Sequence, residues 1–127
     1  MSNTVRLNGT IQSDPLLSPE SGAPVTTIPI DETVQISAQL APQYMLSDDN
    51  PVSVNLGGLS GVNFLFVKVV GSRLTLTLTS TLGATQVIPV DSVFALISLA
   101  TPITAISIAR AAGGIQTSVL LFLGSTA

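Results

Sequence analysis

The sequence predicts an all-β protein, an antiparallel β-sandwich of jelly-roll-like topology with about eight to nine strands. Three observations support this class. Apolar residues recur with a period of two along most of the chain, turn residues separate short apolar runs about every 8 to 12 positions, and no run shows the 3.6-residue period of a long helix. Because 127 residues is close to the commonest domain size, we expect a single domain spanning residues 1–127.

The N-terminal part of the chain alternates predicted strands with irregular segments. Residues 4–11, 33–40 and 52–56 carry apolar side chains at alternate positions, which is typical of strands. The segments 12–30 and 41–51 contain prolines, which cannot donate a ladder hydrogen bond. We therefore expect these two segments to be irregular.

The middle of the chain predicts a hairpin. Residues 62–70 are apolar on both faces, Gly71 and Ser72 form a two-residue turn, and residues 73–81 alternate leucine with threonine. A strand with two apolar faces is either central in its sheet or covered. The threonine face of its partner is either solvated or packed on a neighbouring subunit.

Four further strands are predicted in the C-terminal part, over residues 85–90, 92–99, 103–110 and 117–124. The uncharged stretch 92–109 is long enough to suggest a membrane-spanning helix. However, six of its 18 residues are Ser, Thr or Pro, and a proline lies near its middle. The composition favours two strands over a helix.

The composition favours assembly over catalysis. Only 9% of the residues are charged, against about 25% in an ordinary domain, and the chain has no histidine, cysteine or tryptophan. The net charge of -3 comes from scattered residues, so no basic patch predicts binding to nucleic acid. We expect no enzyme activity, no metal, no cofactor and no membrane partner. A surface so poor in charge predicts association with copies of itself or with a larger particle.

The few residues with chemical potential have ordinary structural explanations. Asp48 and Asp49 could bind calcium, but the ligand spacing of calcium loops is absent and a hydrated loop tip is favoured. Asp31 and Glu32 are adjacent, so in a strand they point to opposite faces and cannot act together on one substrate. Lys68 lies in an apolar run, where reaching the sheet rim or pairing with an acid is commoner than catalysis.

Residues 52–124 carry a family resemblance. The runs VSVNLGGLSGVNFLFVKVVGSRLTLTL and VIPVDSVFALISLATPITAISIARAAGGIQTSVLLFLG resemble small virion structural proteins of tailed bacteriophages. In those proteins an LGG…FLFV strand leads to a Leu/Thr hairpin, then to VFAL, ITAISI and VLLFLG strands. The resemblance implies a β-sandwich made in the host cytoplasm and carried on the phage particle, where it acts as a capsid decoration or cement protein. Related small β-domains serve as tail, baseplate or head-fibre parts, so attachment or receptor and glycan binding is the alternative.

Assembly contacts are expected in the irregular segments and on the threonine face. The candidate residues are Leu16, Leu17, Tyr44, Met45, Leu46, Thr75, Thr77 and Thr79. The partners would be further copies, arranged as a trimer about a symmetry axis, and the major capsid protein or other virion proteins. The alternative is that the apolar members of this set cap the ends of the sandwich.

Overall fold

A computed structural model describes residues 3–12 and 27–126, and these residues form eleven strands. The strands are β1 (Asn3–Gln12), β2 (Thr27–Ile36), β3 (Ala38–Leu40), β4 (Gln43–Leu46), β5 (Val52–Ser53), β6 (Phe64–Val70), β7 (Leu74–Ser80), β8 (Thr85–Val90), β9 (Val93–Ile97), β10 (Ile103–Arg110) and β11 (Thr117–Ser125). The described residues contain no helix. The all-β class is confirmed.

The chain divides into two compact units, one formed by residues 4–35 and the other mainly by residues 36–127. The first unit is a two-stranded ribbon of β1 and β2. Across it, the Arg6 guanidinium donates two hydrogen bonds to the Asp31 carboxylate, at 2.8 and 3.0 Å. Because side chains alternate along a strand, Leu7, Ile30 and Glu32 lie on the opposite face of the ribbon.

The second unit is a sandwich of two antiparallel sheets. One sheet has the order β5-β10-β7-β8, and the other has the order β3-β11-β6-β9 with β4 also paired to β11. β3 and β4 follow one another along the same partner in unbroken register, since Leu40 faces Leu123 and Gln43 faces Leu120. Pro42 lies between them and has no N–H to donate, although its carbonyl accepts a hydrogen bond from the Leu121 N–H at 3.0 Å.

The order of the strands is that of a jelly roll. When β3 and β4 are counted as one interrupted strand, the sandwich has eight strands in two four-stranded sheets. The chain crosses between the sheets at every connection except β7 to β8, which are neighbours in one sheet. The predicted antiparallel, jelly-roll-like sandwich is therefore confirmed, with the ribbon as an addition to it.

The core lies between the two sheets and is built from alternate residues of their strands. Leu74, Leu76 and Leu78 of β7 are at most 2% exposed. They are in one apolar cluster with the inward residues of the other sheet, which include Leu65, Val67, Val69, Val119, Leu121 and Leu123. β6 is hydrogen-bonded on one side to β11 and on the other to β9. The prediction that residues 62–70 form a central or covered strand is confirmed.

The structure differs from the prediction in the proline-containing segments. Residues 27–30 belong to β2, and residues 43–46 form β4, so the segments predicted to be irregular at 12–30 and 41–51 both contain strand. β4 forms because it continues the register of β3 on β11, a tertiary pairing that local composition does not reveal. The rest of the first segment, 13–26, lies outside the described residues.

The uncharged stretch 92–109 contains β9 and most of β10, as its composition predicts. Within the described part of the chain, no helix is long and apolar enough to cross a membrane.

Candidate interaction surfaces

The outer side of the four-stranded sheet is a surface of small uncharged side chains, here called the threonine face. Its residues alternate with the buried residues of β7, β8 and β10 and lie in register across the strands. They are Ser53, Thr75, Thr77, Thr79, Thr85, Val87, Pro89, Ala105, Ser107 and Ala109. At its centre, Thr77 lies between Val87 of β8 and Ser107 of β10. The three predicted contact residues of β7 are thus on the outside of the sandwich.

The threonine face is nearly flat, and few of its polar groups are hydrogen-bonded to one another. The hydroxyls of Thr79 and Thr85 are 3.5 Å apart, and the Thr104 hydroxyl donates to the Thr79 carbonyl at 3.2 Å. A shallow depression of about 210 Å³ crosses it beside Thr77 and Ala105. A partner could bind such a face through shape complementarity and hydrogen bonds, without having to neutralise a charge.

The outer side of the other sheet, β3-β11-β6-β9 with β4 paired to β11, has a different composition and is here called the apolar face. Its outward residues include Met45, Phe66, Lys68, Val70, Val93, Ala95, Leu120 and Phe122, together with the uncharged polar residues Gln39, Gln43 and Ser118. Val70 is 62% exposed, Met45 59%, Val93 56% and Leu120 39%. Lys68 is exposed and lies between Leu120 on one neighbouring strand and Val93 on the other. It is the one charged residue of this face.

One end of the five-stranded sheet's outer side is closed by Ile36. Ile36 is 1% exposed, and a Cβ placed on Gly124 would lie 3.0 Å from its Cγ2 atom. The absence of a side chain at Gly124 therefore leaves the space that Ile36 fills. Beside it, the rings of Phe64 and Phe122 meet edge to face with centroids 5.9 Å apart.

The predicted contact residues of β4 are divided between the surface and the interior. Met45 is exposed on the apolar face, whereas Leu46 is 4% exposed and belongs to the core. Tyr44 packs against the core, and its hydroxyl accepts a hydrogen bond from the Asn55 N–H at 2.9 Å. Leu46 is therefore corrected to a core residue, because alternation along β4 turns it inward together with Tyr44. Leu16 and Leu17 lie outside the described residues.

Charged side chains gather at one end of the sandwich, where four connections meet. The Asp49 carboxylate accepts hydrogen bonds from Arg110 Nε at 3.0 Å and from the Gly113 N–H at 3.1 Å. These two donors, the Gly113 amide first, hold the pKa of Asp49 below its ordinary value. They also use the oxygens that a bound cation would require. Asp48 instead accepts a hydrogen bond from the Asn50 N–H, closing a local turn.

A second ion pair joins two other connections at the same end. Arg73 Nε and Nη2 donate to the Asp91 carboxylate at 2.7 and 3.1 Å, which lowers the pKa of Asp91. Ser72 ties these connections to the β10–β11 loop, since its hydroxyl accepts from the Ile115 N–H at 2.8 Å. Apart from Lys68, every charged residue between 36 and 127 is at this end.

The opposite end of the sandwich carries no charged residue in its connections, which span residues 54–63, 81–84 and 98–102. Leu82 is 82% exposed there and Leu99 is 60% exposed. A pocket of about 340 Å³ opens between the edges of the two sheets, and its lining contains no titratable side chain. The lining residues are Leu78, Ser80, Leu82, Ala84, Gln86, Leu96, Ser98, Thr101 and Ile103.

Two of these surfaces were missed by sequence reasoning. Val70, Val93 and Leu120 were not singled out, because an apolar run such as 62–70 does not reveal which of its two faces is outermost. The uncharged end could have been found by noting that residues 54–63, 81–84 and 98–102 are all uncharged connections. These three connections can be recognised as one surface only when the topology shows that they lie at the same end of the sandwich.

Within the part of the chain that the structure describes, no group of three or more His, Cys, Asp or Glu side chains is placed to hold a metal ion. No family model matches the sequence, and no curated protein or solved structure matches the chain. The exposed surfaces are therefore the basis for a functional assignment.

Proposed function

We propose that the chain is a non-enzymatic structural protein of a tailed-bacteriophage virion, a capsid decoration or cement protein that binds the head lattice and stabilises it. The observation that carries the proposal is the chemistry of the two broad faces of the sandwich. Together they expose threonine, serine, alanine, valine, leucine and methionine, with Lys68 as their single charge. The resemblance of residues 52–124 to small virion proteins supports the choice of particle.

Such faces suit a protein whose surface is covered by neighbouring subunits when many copies assemble. A free soluble domain carries charges over roughly 25–35% of its surface positions, which keeps copies apart. Uncharged faces cost less to desolvate than charged ones when their hydroxyls find hydrogen-bond partners, so each contact with a neighbour is favourable although small. Repeated over a lattice, weak contacts gain about 10² to 10⁴ in apparent affinity. We propose a homo-oligomer, a trimer about a symmetry axis, as the unit that binds.

The two ends of the sandwich suggest an orientation on the particle. The charged end, with the Asp49–Arg110 and Asp91–Arg73 pairs, is suited to face water. The uncharged end, with Leu82, Leu99 and the pocket beside them, is suited to dock on the capsid.

Rebinding of purified protein to capsids stripped of it tests both parts of the proposal. Leu82→Asp should weaken rebinding at least about tenfold, since a carboxylate would be desolvated at the contact. Ile115→Asp is the matched control, since Ile115 is also a largely exposed apolar residue but lies at the charged end, and it should rebind like the wild type. Wild-type rebinding should be similar between about 0.05 and 0.5 M salt and in EDTA, because docking rests on apolar burial.

Three outcomes would contradict the proposal. Absence of rebinding to capsids by wild-type protein would remove the decoration role. Loss of rebinding in EDTA would instead implicate Asp48 and Asp49 as ion ligands. Labelled protein found on tails, baseplates or fibres by electron microscopy would favour the attachment role over the decoration role.

A further inference from the structure

The β1–β2 ribbon presents a face that a single ribbon cannot stabilise. On this face Ile28 is 51% exposed, Ile30 is half-buried and Glu32 is exposed, whereas Val34, farther along β2, is buried. Leu7 of β1 is also only half-buried. A two-stranded ribbon by itself is at best marginally stable in water. Its apolar side therefore requires a surface to pack against, and that surface must accommodate one carboxylate.

The apolar face of the sandwich has the complementary composition. Lys68 lies among exposed apolar side chains of the neighbouring strands, with Val93 and Leu120 directly opposite it. Within the described residues, Lys68 forms no ion pair. A partner that covers this face must bring apolar side chains and, near its centre, one acidic group.

We propose that the ribbon of one copy docks on the apolar face of a second copy, with Glu32 of the first opposite Lys68 of the second. The inference rests on the proposed function in one respect, that copies of the chain assemble. It identifies one contact through which they do so.

The ribbon is the surface of the chain whose charge best complements Lys68 of the apolar face. Of the carboxylates in the described residues, Asp31, Asp49 and Asp91 are held by Arg6, Arg110 and Arg73. This leaves Asp48 and Glu32. Asp48 lies in a loop and accepts a hydrogen bond from the backbone of Asn50. Glu32 is the carboxylate that stands on a strand between apolar neighbours of the same face, Ile30 and Val34.

The area of the contact is consistent with an assembly that makes it more than once. β1 and β2 have 10 residues each, so the ribbon covers roughly 10 Å by 30 Å, or about 600 Å² counted over both partners. Stable interfaces bury about 1,200–2,000 Å² in total. One contact is too small, whereas a reciprocal pair in a dimer reaches the lower limit. The contact joins two different surfaces, so it can also close into a ring such as a trimer.

Cysteine crosslinking tests the contact directly, because the chain has no cysteine of its own. Packed sheets lie about 10 Å apart, beyond the Cβ separation that a disulfide spans, so a short bis-maleimide reagent is used. Glu32→Cys and Lys68→Cys chains, mixed and treated with this reagent, should form a crosslinked pair with one chain of each kind. Thr33→Cys is the matched control, since Thr33 is exposed on the opposite side of β2 and should not crosslink to Lys68→Cys. The readout is the mass of the crosslinked species, confirmed by peptide mapping.

Charge reversal provides a second measurement. Glu32→Lys or Lys68→Glu alone should weaken self-association about tenfold by analytical ultracentrifugation, because like charges then face one another. The two changes in one chain should restore self-association to within about threefold of the wild type. Restoration is an effect that general loss of stability would not produce.

The outcomes separate this contact from the proposed function. Wild-type protein that oligomerises and binds capsids without the Glu32–Lys68 crosslink would overturn the contact and leave the function in place. A Glu32→Cys, Lys68→Cys double variant that crosslinks only within a monomer would also overturn it. Protein that crosslinks as expected but does not bind capsids would overturn the decoration role and retain the contact.

Discussion

The two outer faces of the sandwich have the same architecture and opposite chemistry. The threonine face carries small hydroxyl and methyl groups centred on Thr77, and the apolar face carries large side chains such as Phe122 and Leu120 around Lys68. The hydroxyls of the threonine face can hydrogen-bond either to water or to a partner, whereas exposure of the large side chains of the apolar face costs free energy. The difference indicates two kinds of contact, one that relies on hydrogen bonding and one that relies on apolar burial.

The largest expected effect tests whether the threonine face is itself an interface. Thr77→Lys places a flexible charge at the centre of that face. In a closed interface without an acidic partner this costs several kcal/mol of association free energy. On a solvated strand the change should remain within about 0.5 kcal/mol in stability.

Ultracentrifugation and urea unfolding of Thr77→Lys distinguish these cases, with Thr33→Lys on the ribbon as the control for added charge. We expect oligomers to dissociate while the unfolding midpoint of the monomer is retained. Oligomers as stable as those of the wild type would show that the threonine face is solvated in the assembly. In that case only the apolar face would be covered by a neighbouring copy.

The next effect concerns the packing of the apolar face. Phe122→Ala removes a half-buried ring that meets Phe64 edge to face, and we expect a loss of about 2 kcal/mol in unfolding free energy, below the 3–5 kcal/mol of a fully buried phenylalanine. Thr77→Ala, at the corresponding central position of the other sheet, should cost less than about 1 kcal/mol. Urea titrations at one protein concentration compare the two variants. Equal losses would mean that the faces differ in composition but not in packing.

The difference between the two faces also shows for which strands the buried side could be predicted from the sequence. Alternation of leucine and threonine over residues 73–81 correctly predicted which side of β7 is buried, because only one phase of the alternation is apolar. In residues 62–70 both phases are apolar, so the inward side of β6 was undetermined until its partners were known. The turn at Gly71 was also predictable, and its φ of 129° is a conformation that favours glycine.

The directions of the side chains in residues 43–46 could not be predicted for a related reason. β4 has four residues, too few to establish a phase, and its direction is fixed only by pairing with β11. That pairing turns Met45 outward and Tyr44 and Leu46 inward. The charged end was equally hidden, since Asp49 and Arg110 are 61 positions apart in the chain.

The smallest effect concerns the ion pairs of the charged end, whose acidic side chains are 48% exposed at Asp49 and 71% exposed at Asp91. The pKa of Asp49 and the pKa of Asp91 are lowered in the folded chain, so each carboxylate binds protons more weakly there than when unfolded. Their stabilising contribution is therefore complete above the unfolded pKa of about 4 and is lost as the pH falls through the lower folded value. Asp49→Asn should be less stable than the wild type at pH 7, and this gap should narrow as the pH falls through the lowered pKa of the folded chain. Asp48→Asn removes the same charge without breaking an ion pair and should show a smaller gap in the same urea titrations. A gap for Asp49→Asn that does not narrow as the pH falls below about 4 would assign the effect to lost packing around Arg110, not to the ionised carboxylate.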